Sequence, residues 1–135
     1  MKKKGKERGA VAVEMAIVLP LLLLILLGII EFGRALNVQV SLTQAAREGA
    51  RYAAIHHGEP GFDVQAATLA AAPSLSGLSV TVTDNASSCT STSNVRVQTR
   101  VALPSLTGFL NAGFFGAAGI FPLSMTGVGV MRCGG

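Results

Sequence analysis

A long apolar run near the N-terminus constrains this chain more than any other feature. Between Ala10 and Ile30 the only ionisable side chain is Glu14. A helix over this run rises about 31 Å at 1.5 Å per residue, which matches the hydrocarbon core of a bilayer. We therefore predict one transmembrane helix over residues 10–31.

The residues before the apolar run are strongly basic. They comprise Lys2, Lys3, Lys4, Lys6 and Arg8 beside one acid, Glu7. Basic clusters stay on the cytoplasmic side of a membrane, so we predict a single-pass inner (cytoplasmic) membrane protein whose C-terminal domain is extracytoplasmic. The run is too long for a secretory signal, and no small-residue cleavage site follows it. Any cut is therefore expected before the run.

The junction between the basic stretch and the apolar run, RGAVAVE at residues 8–14, resembles the processing site of type IV prepilins. In that family a short basic leader ends in Gly, a dedicated peptidase cuts after it, and a Glu is fifth in the mature chain. A cut after Gly9 would make Ala10 the first residue and Glu14 the fifth. The resemblance thus implies a leader over residues 1–9 and a prepilin peptidase as a partner.

Glu14 needs a physical explanation inside such an apolar run. A carboxylate at the centre of a membrane helix costs roughly 2.5 to 3.5 kcal/mol, and less near the interface, where Glu14 would lie. One interpretation pairs it with the new amino group of Ala10, on the same subunit or a neighbour. The other places the carboxylate in headgroup water. The basic leader favours the first.

The helical pattern continues past the membrane exit. Residues 34–56 contain no Pro and are rich in Ala, Leu, Gln, Arg and Glu, which favour helix. We predict one continuous helix from about Ala10 to His56, with residues 32–57 as an extracytoplasmic extension. Small residues on this extension would let another backbone approach, from either a sheet of the same chain or a neighbouring helix. They form two rows, Ala45/Gly49/Ala53 and Ala46/Ala50/Ala54.

Two motifs at fixed separation, RGAVAVEMAIVLPLLLLILLGIIEFGRAL and LTQAAREGARYAA, resemble the TadE-like family of the tight-adherence (Flp) pilus machinery. The resemblance covers roughly Arg8 to Ala54, and the tail PLSMTGVGVMR fits more loosely. It implies a pseudopilin-like minor component of a type IVc pilus or related secretion system, with other pilins and the assembly platform as partners. The alternative class is a membrane-anchored binding module of the cell envelope that never polymerises.

The remaining residues, 58–135, predict a small extracytoplasmic region. Residues 62–73 indicate a short helix stopped by Pro73, and residues 78–84, 94–103 and 123–133 have the pattern of strands. The Gly-rich segment 104–122 is too short for a second span, and we expect it to cover the sheet or touch lipid. The predicted fold class is α+β: an N-terminal transmembrane helix extended into a long pilin-like helix and packed by a small antiparallel sheet.

The two cysteines, Cys89 and Cys133, both fall on the predicted extracytoplasmic side. In an oxidising compartment such a pair favours a disulfide over a metal site or a nucleophile. Two free buried thiols are the alternative.

Charge and motif content exclude several function classes. Every lysine lies in the leader, and beyond Gly9 arginines and acids balance, so we expect no nucleic-acid partner. His56 and His57 are adjacent, diverge by about a third of a turn on a helix, and make a poor metal pair. No nucleophile, base and orienting acid can be assembled from motifs. We therefore expect no enzymatic activity, metal, cofactor or small-molecule substrate.

Overall fold

A computed structural model of the protein describes residues 4–108, 111 and 119–134. Its elements are α1 (Lys4–His56), α2 (Val64–Ala70), β1 (Thr81–Asp84), β2 (Asn94–Leu103) and β3 (Leu123–Arg132), with 3-10 turns at Pro73–Leu75 and Ala86–Ser88. The strands form one antiparallel sheet in the order β1-β2-β3. A long apolar N-terminal helix and a small antiparallel sheet confirm the predicted α+β class.

The chain divides into two compact units, Met1–Gly33 and Arg34–Gly135, and α1 contributes to both. Helix α1 begins at Lys4, earlier than the predicted start at Ala10. Lys, Glu and Arg favour helix, and the weak positions Gly5 and Gly9 are too isolated to interrupt it. Residues 1–3 of the predicted leader lie outside the described residues.

The core of the second unit lies between one face of α1 and the inner face of the sheet. On β2 every second side chain points inward and is buried: Val95, Val97, Thr99, Val101 and Leu103. Both rows of small residues on α1 are buried as well. The sheet of the same chain, rather than a neighbouring helix, therefore occupies the groove that these small residues create.

Two glycines of β3 bring the sheet into direct contact with the backbone of α1. A Cβ added at Gly127 would overlap the carbonyl of Leu42, and one added at Gly129 would overlap the carbonyl of Ala46. The hydroxyl of Thr99 donates a hydrogen bond to the same Leu42 carbonyl at 3.0 Å. Helix and strand thus pack with no side chain between them at these positions.

Helix α2 is shorter than the predicted helix over residues 62–73. Asp63 caps its start, because its Oδ1 accepts a hydrogen bond from the N–H of Ala66 at 3.0 Å. The helix ends at Ala70, and Pro73 begins a separate 3-10 turn. Thr68 packs against Gly49 of α1, where any added side chain would overlap its hydroxyl.

Strand β1 begins at Thr81, three residues later than predicted. The N–H of Leu78 donates to the carbonyl of Leu75 at 3.0 Å, and the N–H of Val80 donates to Leu78 at 2.9 Å. These backbone groups are used in turns and are therefore unavailable to a strand ladder.

The predicted surface segment 104–122 is described only at its ends and at Asn111. Its start is held by Arg34, whose Nη1 donates a hydrogen bond to the carbonyl of Pro104 at 2.8 Å. Residues 109–110 and 112–118 lie outside the described residues.

Candidate processing and assembly site

The predicted processing residues Gly9, Ala10 and Glu14 all lie on α1 in the first unit, and all three are exposed. Ala10 and Glu14 are four positions apart, so they share one face of the helix, with their Cβ atoms about 6 Å apart. A cut after Gly9 would therefore create an amino group one helical turn from the Glu14 carboxylate.

Gly9 is not required for packing in this structure. A Cβ added there meets no atom within 4 Å, so no neighbouring element explains a glycine at this position. In a helix interior glycine is less favourable than alanine by about 1 kcal/mol. The position therefore weakens the first turns of α1 and leaves the backbone open to approach.

The rest of the first unit is an apolar helix with exposed side chains. Large apolar residues point in all directions and are mostly about half exposed or more, including Val11, Val13, Met15, Ile17, Leu21, Leu22, Ile25 and Ile29. A helix that is apolar on every side needs an apolar environment. By length and composition, one helix in the described part of the chain could cross a membrane.

The second unit contains the predicted disulfide. Cys89 follows the 3-10 turn after β1, Cys133 follows β3, and the two are bonded with their Cα atoms 5.7 Å apart. Cys133 is buried, and its N–H donates to the carbonyl of Ser93 at 3.0 Å. The bond joins the loop before β2 to the end of β3, and it rules out the two free thiols.

The two histidines at the end of α1 bond to the helix itself. Nδ1 of His56 lies 3.1 Å from the carbonyl of Tyr52, and Nδ1 of His57 lies 2.9 Å from that of Ala54. The ring of Tyr52 stacks between those of His56 and Phe62, at centroid distances of 4.4 and 5.8 Å. Among residues 4–108, 111 and 119–134, no group of three or more His, Cys, Asp or Glu could hold a metal ion.

The outward face of α1 in the second unit carries the charged residues Arg47, Glu48 and Arg51. Arg51 and Glu48 form an ion pair at 3.7 Å, and both side chains are more than half exposed. An exposed pair of this kind contributes little to stability, about 0 to 1 kcal/mol. This face is therefore solvated within a single copy of the chain.

The sequence did not lead us to predict Gly127 and Gly129 as contact residues, although both lie in the segment PLSMTGVGVMR. A signal was present: two glycines two positions apart on a strand share one face, opposite a helix with rows of small residues. Such a pattern predicts close backbone approach.

A comparison with protein families finds a match to TadE-like protein over residues 9–51. This match covers Gly9 to Glu14, the apolar run and most of the helical extension, and it confirms the resemblance predicted from the sequence. No curated protein and no solved structure matches the chain significantly.

Proposed function

We propose that this protein is a minor pilin or pseudopilin of a tight-adherence (Flp, type IVc) pilus or a related secretion system. It acts in pilus assembly and surface adherence. The observation that carries the proposal is the TadE-like match over residues 9–51, which falls on the segment holding Gly9, Glu14 and the apolar helix. The proposed partners are membrane lipid, the prepilin peptidase, other pilins and the assembly platform. In this role the protein is not an enzyme.

The proposed location is the inner membrane, with the basic N-terminus in the cytoplasm and residues 34–135 outside. The basic residues before Gly9 support this orientation, since such clusters are retained on the cytoplasmic side. An oxidising extracytoplasmic compartment also suits the Cys89–Cys133 disulfide. From the membrane the processed subunit would be available for incorporation into a pilus.

Leader removal would change the electrostatics at the start of α1. The new amino group of Ala10 adds a positive charge to a helix N-terminus whose free N–H groups are already electropositive. In a low-dielectric environment the carboxylate of Glu14 is a strong partner for that charge. The same pairing between two subunits would fix their axial register.

The peptide bond to be cut lies inside α1, because the helix begins at Lys4. Proteolysis favours segments whose backbone opens readily. Gly5 and Gly9 each weaken the helix here by about 1 kcal/mol, which eases unwinding of the first turns. The helical leader is thus compatible with processing after local opening.

We expect the peptidase to remove residues 1–9, and a bulky residue at Gly9, such as Gly9→Phe, to block the cut. The physical reason is that glycine permits close backbone approach, which a large side chain prevents. The measurement is the intact mass of membrane-extracted protein from cells that contain the peptidase.

Gly28→Phe is the matched control for this experiment, because an added Cβ at Gly28 also meets nothing within 4 Å. It lies well beyond the junction, so processing should continue. Wild-type protein that still begins at Met1 in these cells would contradict the proposed function. Cleavage of Gly9→Phe would show that the peptidase does not need glycine at this position.

Glu14→Gln is expected to leave membrane insertion and leader removal intact and to abolish assembly. The apolar run and Gly9 are unchanged, whereas the charge that pairs with the Ala10 amino group is lost. The measurement is co-purification of the processed variant with its pilus machinery, beside an adherence assay.

Glu48→Gln serves as the control, since it removes an exposed acid of the same type from the second unit. It should assemble normally. Normal assembly of processed Glu14→Gln would show that the carboxylate sits in headgroup water and has no pairing role. A membrane-anchored binding module would also tolerate Glu14→Gln, and it would retain its leader.

A further inference from the structure

The face of the sheet that points away from α1 carries the arginines of the strands. Since alternate side chains of a strand point to opposite faces, the buried row of β2 leaves Arg96, Gln98 and Arg100 on the outer face. The register places Arg100 beside Thr126 and Asn94 beside Arg132. Three exposed arginines therefore share this outer face.

These arginines are not neutralised within one copy. Among the residues whose side chains the structure describes, none of the three takes part in an ion pair, and the pair that is present, Glu48–Arg51, lies on α1. Asp84 lines a recess of about 210 Å³ together with Arg96, yet its Oδ1 accepts a hydrogen bond from the N–H of Ala86 at 3.0 Å. The outer face thus presents guanidinium groups without a bound acidic partner.

The other side chains of the outer face indicate the class of partner. Val128 and Val130 lie between the arginines, and Val130 is 55 % exposed. No residue of the three strands is aromatic, which removes the stacking surface that single-stranded nucleic acids use. Arginine mixed with apolar residues and depleted of lysine is typical of protein interfaces.

The chain itself offers an acidic counterpart, the turn between α1 and α2. Glu59 and Asp63 are exposed there, and residues 52–95 contain no Lys or Arg. Gly58 and Gly61 have positive φ, a conformation that favours glycine and holds the turn in its observed shape. We call residues 58–63 the acidic turn.

We propose that the outer face of the sheet docks the acidic turn of a second copy of this chain. Two different patches meet in such a contact, so it is heterologous and can continue from copy to copy. The inference deepens the proposed function by naming a subunit contact. The contact depends on neither Gly9 nor Glu14. Absence of the contact and absence of leader removal can therefore be distinguished by experiment.

The test uses purified full-length protein in detergent, with the photo-crosslinker benzoylphenylalanine at the exposed outer-face position Thr83. The face variant is Arg96→Glu/Arg100→Glu. The turn variant is Glu59→Arg/Asp63→Asn, in which Asn keeps the cap of α2. Each variant alone should lose crosslinked dimer about ten-fold, which corresponds to about 1.4 kcal/mol and lies at the lower end of the coupling energies measured for close interfacial charge pairs.

Mixing the two variants should restore crosslinking, because glutamates on one copy then face an arginine on the other. Arg47→Glu/Arg51→Glu is the matched control: it changes the net charge equally on the opposite side and should crosslink like the wild type. The inference is overturned if the mixture does not recover, or if the control loses as much dimer as the face variant. Absence of wild-type crosslinked dimer would overturn it as well.

Discussion

Gly129→Val is expected to unfold the second unit or lower its melting temperature by more than about 10 °C. The new side chain would be driven into the Ala46 carbonyl and the Cα of Arg47, which are backbone atoms of a helix and cannot rotate away. Ordinary overpacking costs about 1 to 3 kcal/mol, and a backbone obstacle places this variant at or beyond the upper end. For a unit of this size each kcal/mol shifts the melting temperature by about 4 to 8 °C. The measurement is thermal unfolding followed by circular dichroism in detergent.

Gly33→Ala is the control for this prediction. An added Cβ at Gly33 meets nothing within 4 Å, and the position lies inside α1, so alanine should stabilise the helix by about 0.5 to 1 kcal/mol. If the melting temperature falls for Gly129→Val and rises for Gly33→Ala, the contact with α1, and not the loss of a glycine, causes the destabilisation. A Gly129→Val protein that melts with the wild type would contradict the close packing of β3 on α1.

Removal of the disulfide by Cys89→Ser/Cys133→Ser should destabilise the second unit by about 4 kcal/mol. The bond closes a loop with a sequence separation of 44, and the chain-entropy model gives this amount for the lost restriction of the unfolded chain. Urea unfolding of the variant and of the wild type measures the difference directly.

Reduction and thiol labelling of the wild-type protein test the disulfide independently. Wild-type protein held under a reducing agent should unfold with the variant, since both lack the bond, whereas the variant itself should not respond to the reductant. Thiol labelling of denatured, unreduced wild type should modify neither cysteine. Two labelled cysteines would contradict the bond, and an unchanged urea midpoint in the variant would contradict its contribution.

Local patterns were sufficient to predict the main elements of the fold. The long helix follows from residue propensities and the absence of Pro in residues 34–56, and the three strands follow from alternation. The long helix and the three strands are confirmed, and the predicted disulfide is present. The helix and the strands depend on the pattern of neighbouring residues. The disulfide prediction depends on two cysteines that lie on the same side of the predicted membrane helix.

The exact bounds of β1 and α2 and the tertiary contacts of α1 were not predicted. The late start of β1 results from turns at residues 75–80, and the separate 3-10 turn at Pro73 replaces a longer helix. Whether a sheet or a second helix would cover the small residues of α1 could not be decided, because both need the same close approach. Only the position of Gly127 and Gly129 on the facing strand distinguishes the two.

The candidate sites show the same division. The role of Gly9 and Glu14, which remains a prediction, was inferred from spacing, because the proposed leader junction is a contiguous motif. The basic outer face was not, because Arg96, Arg100 and Arg132 join one surface only when strand register is known. These three arginines are far apart in the sequence, so from the sequence alone they contributed only to the balance of charges.

The bond between Cys89 and Cys133 also determines what a single backbone nick would do. A protease that cut anywhere between these residues, for example in segment 104–122, would produce two fragments that remain covalently joined. Strand β3, with both of its contact glycines, would stay at a high effective concentration beside β2 and α1. A subunit nicked between β2 and β3 would therefore retain β3 and migrate as one species until it was reduced.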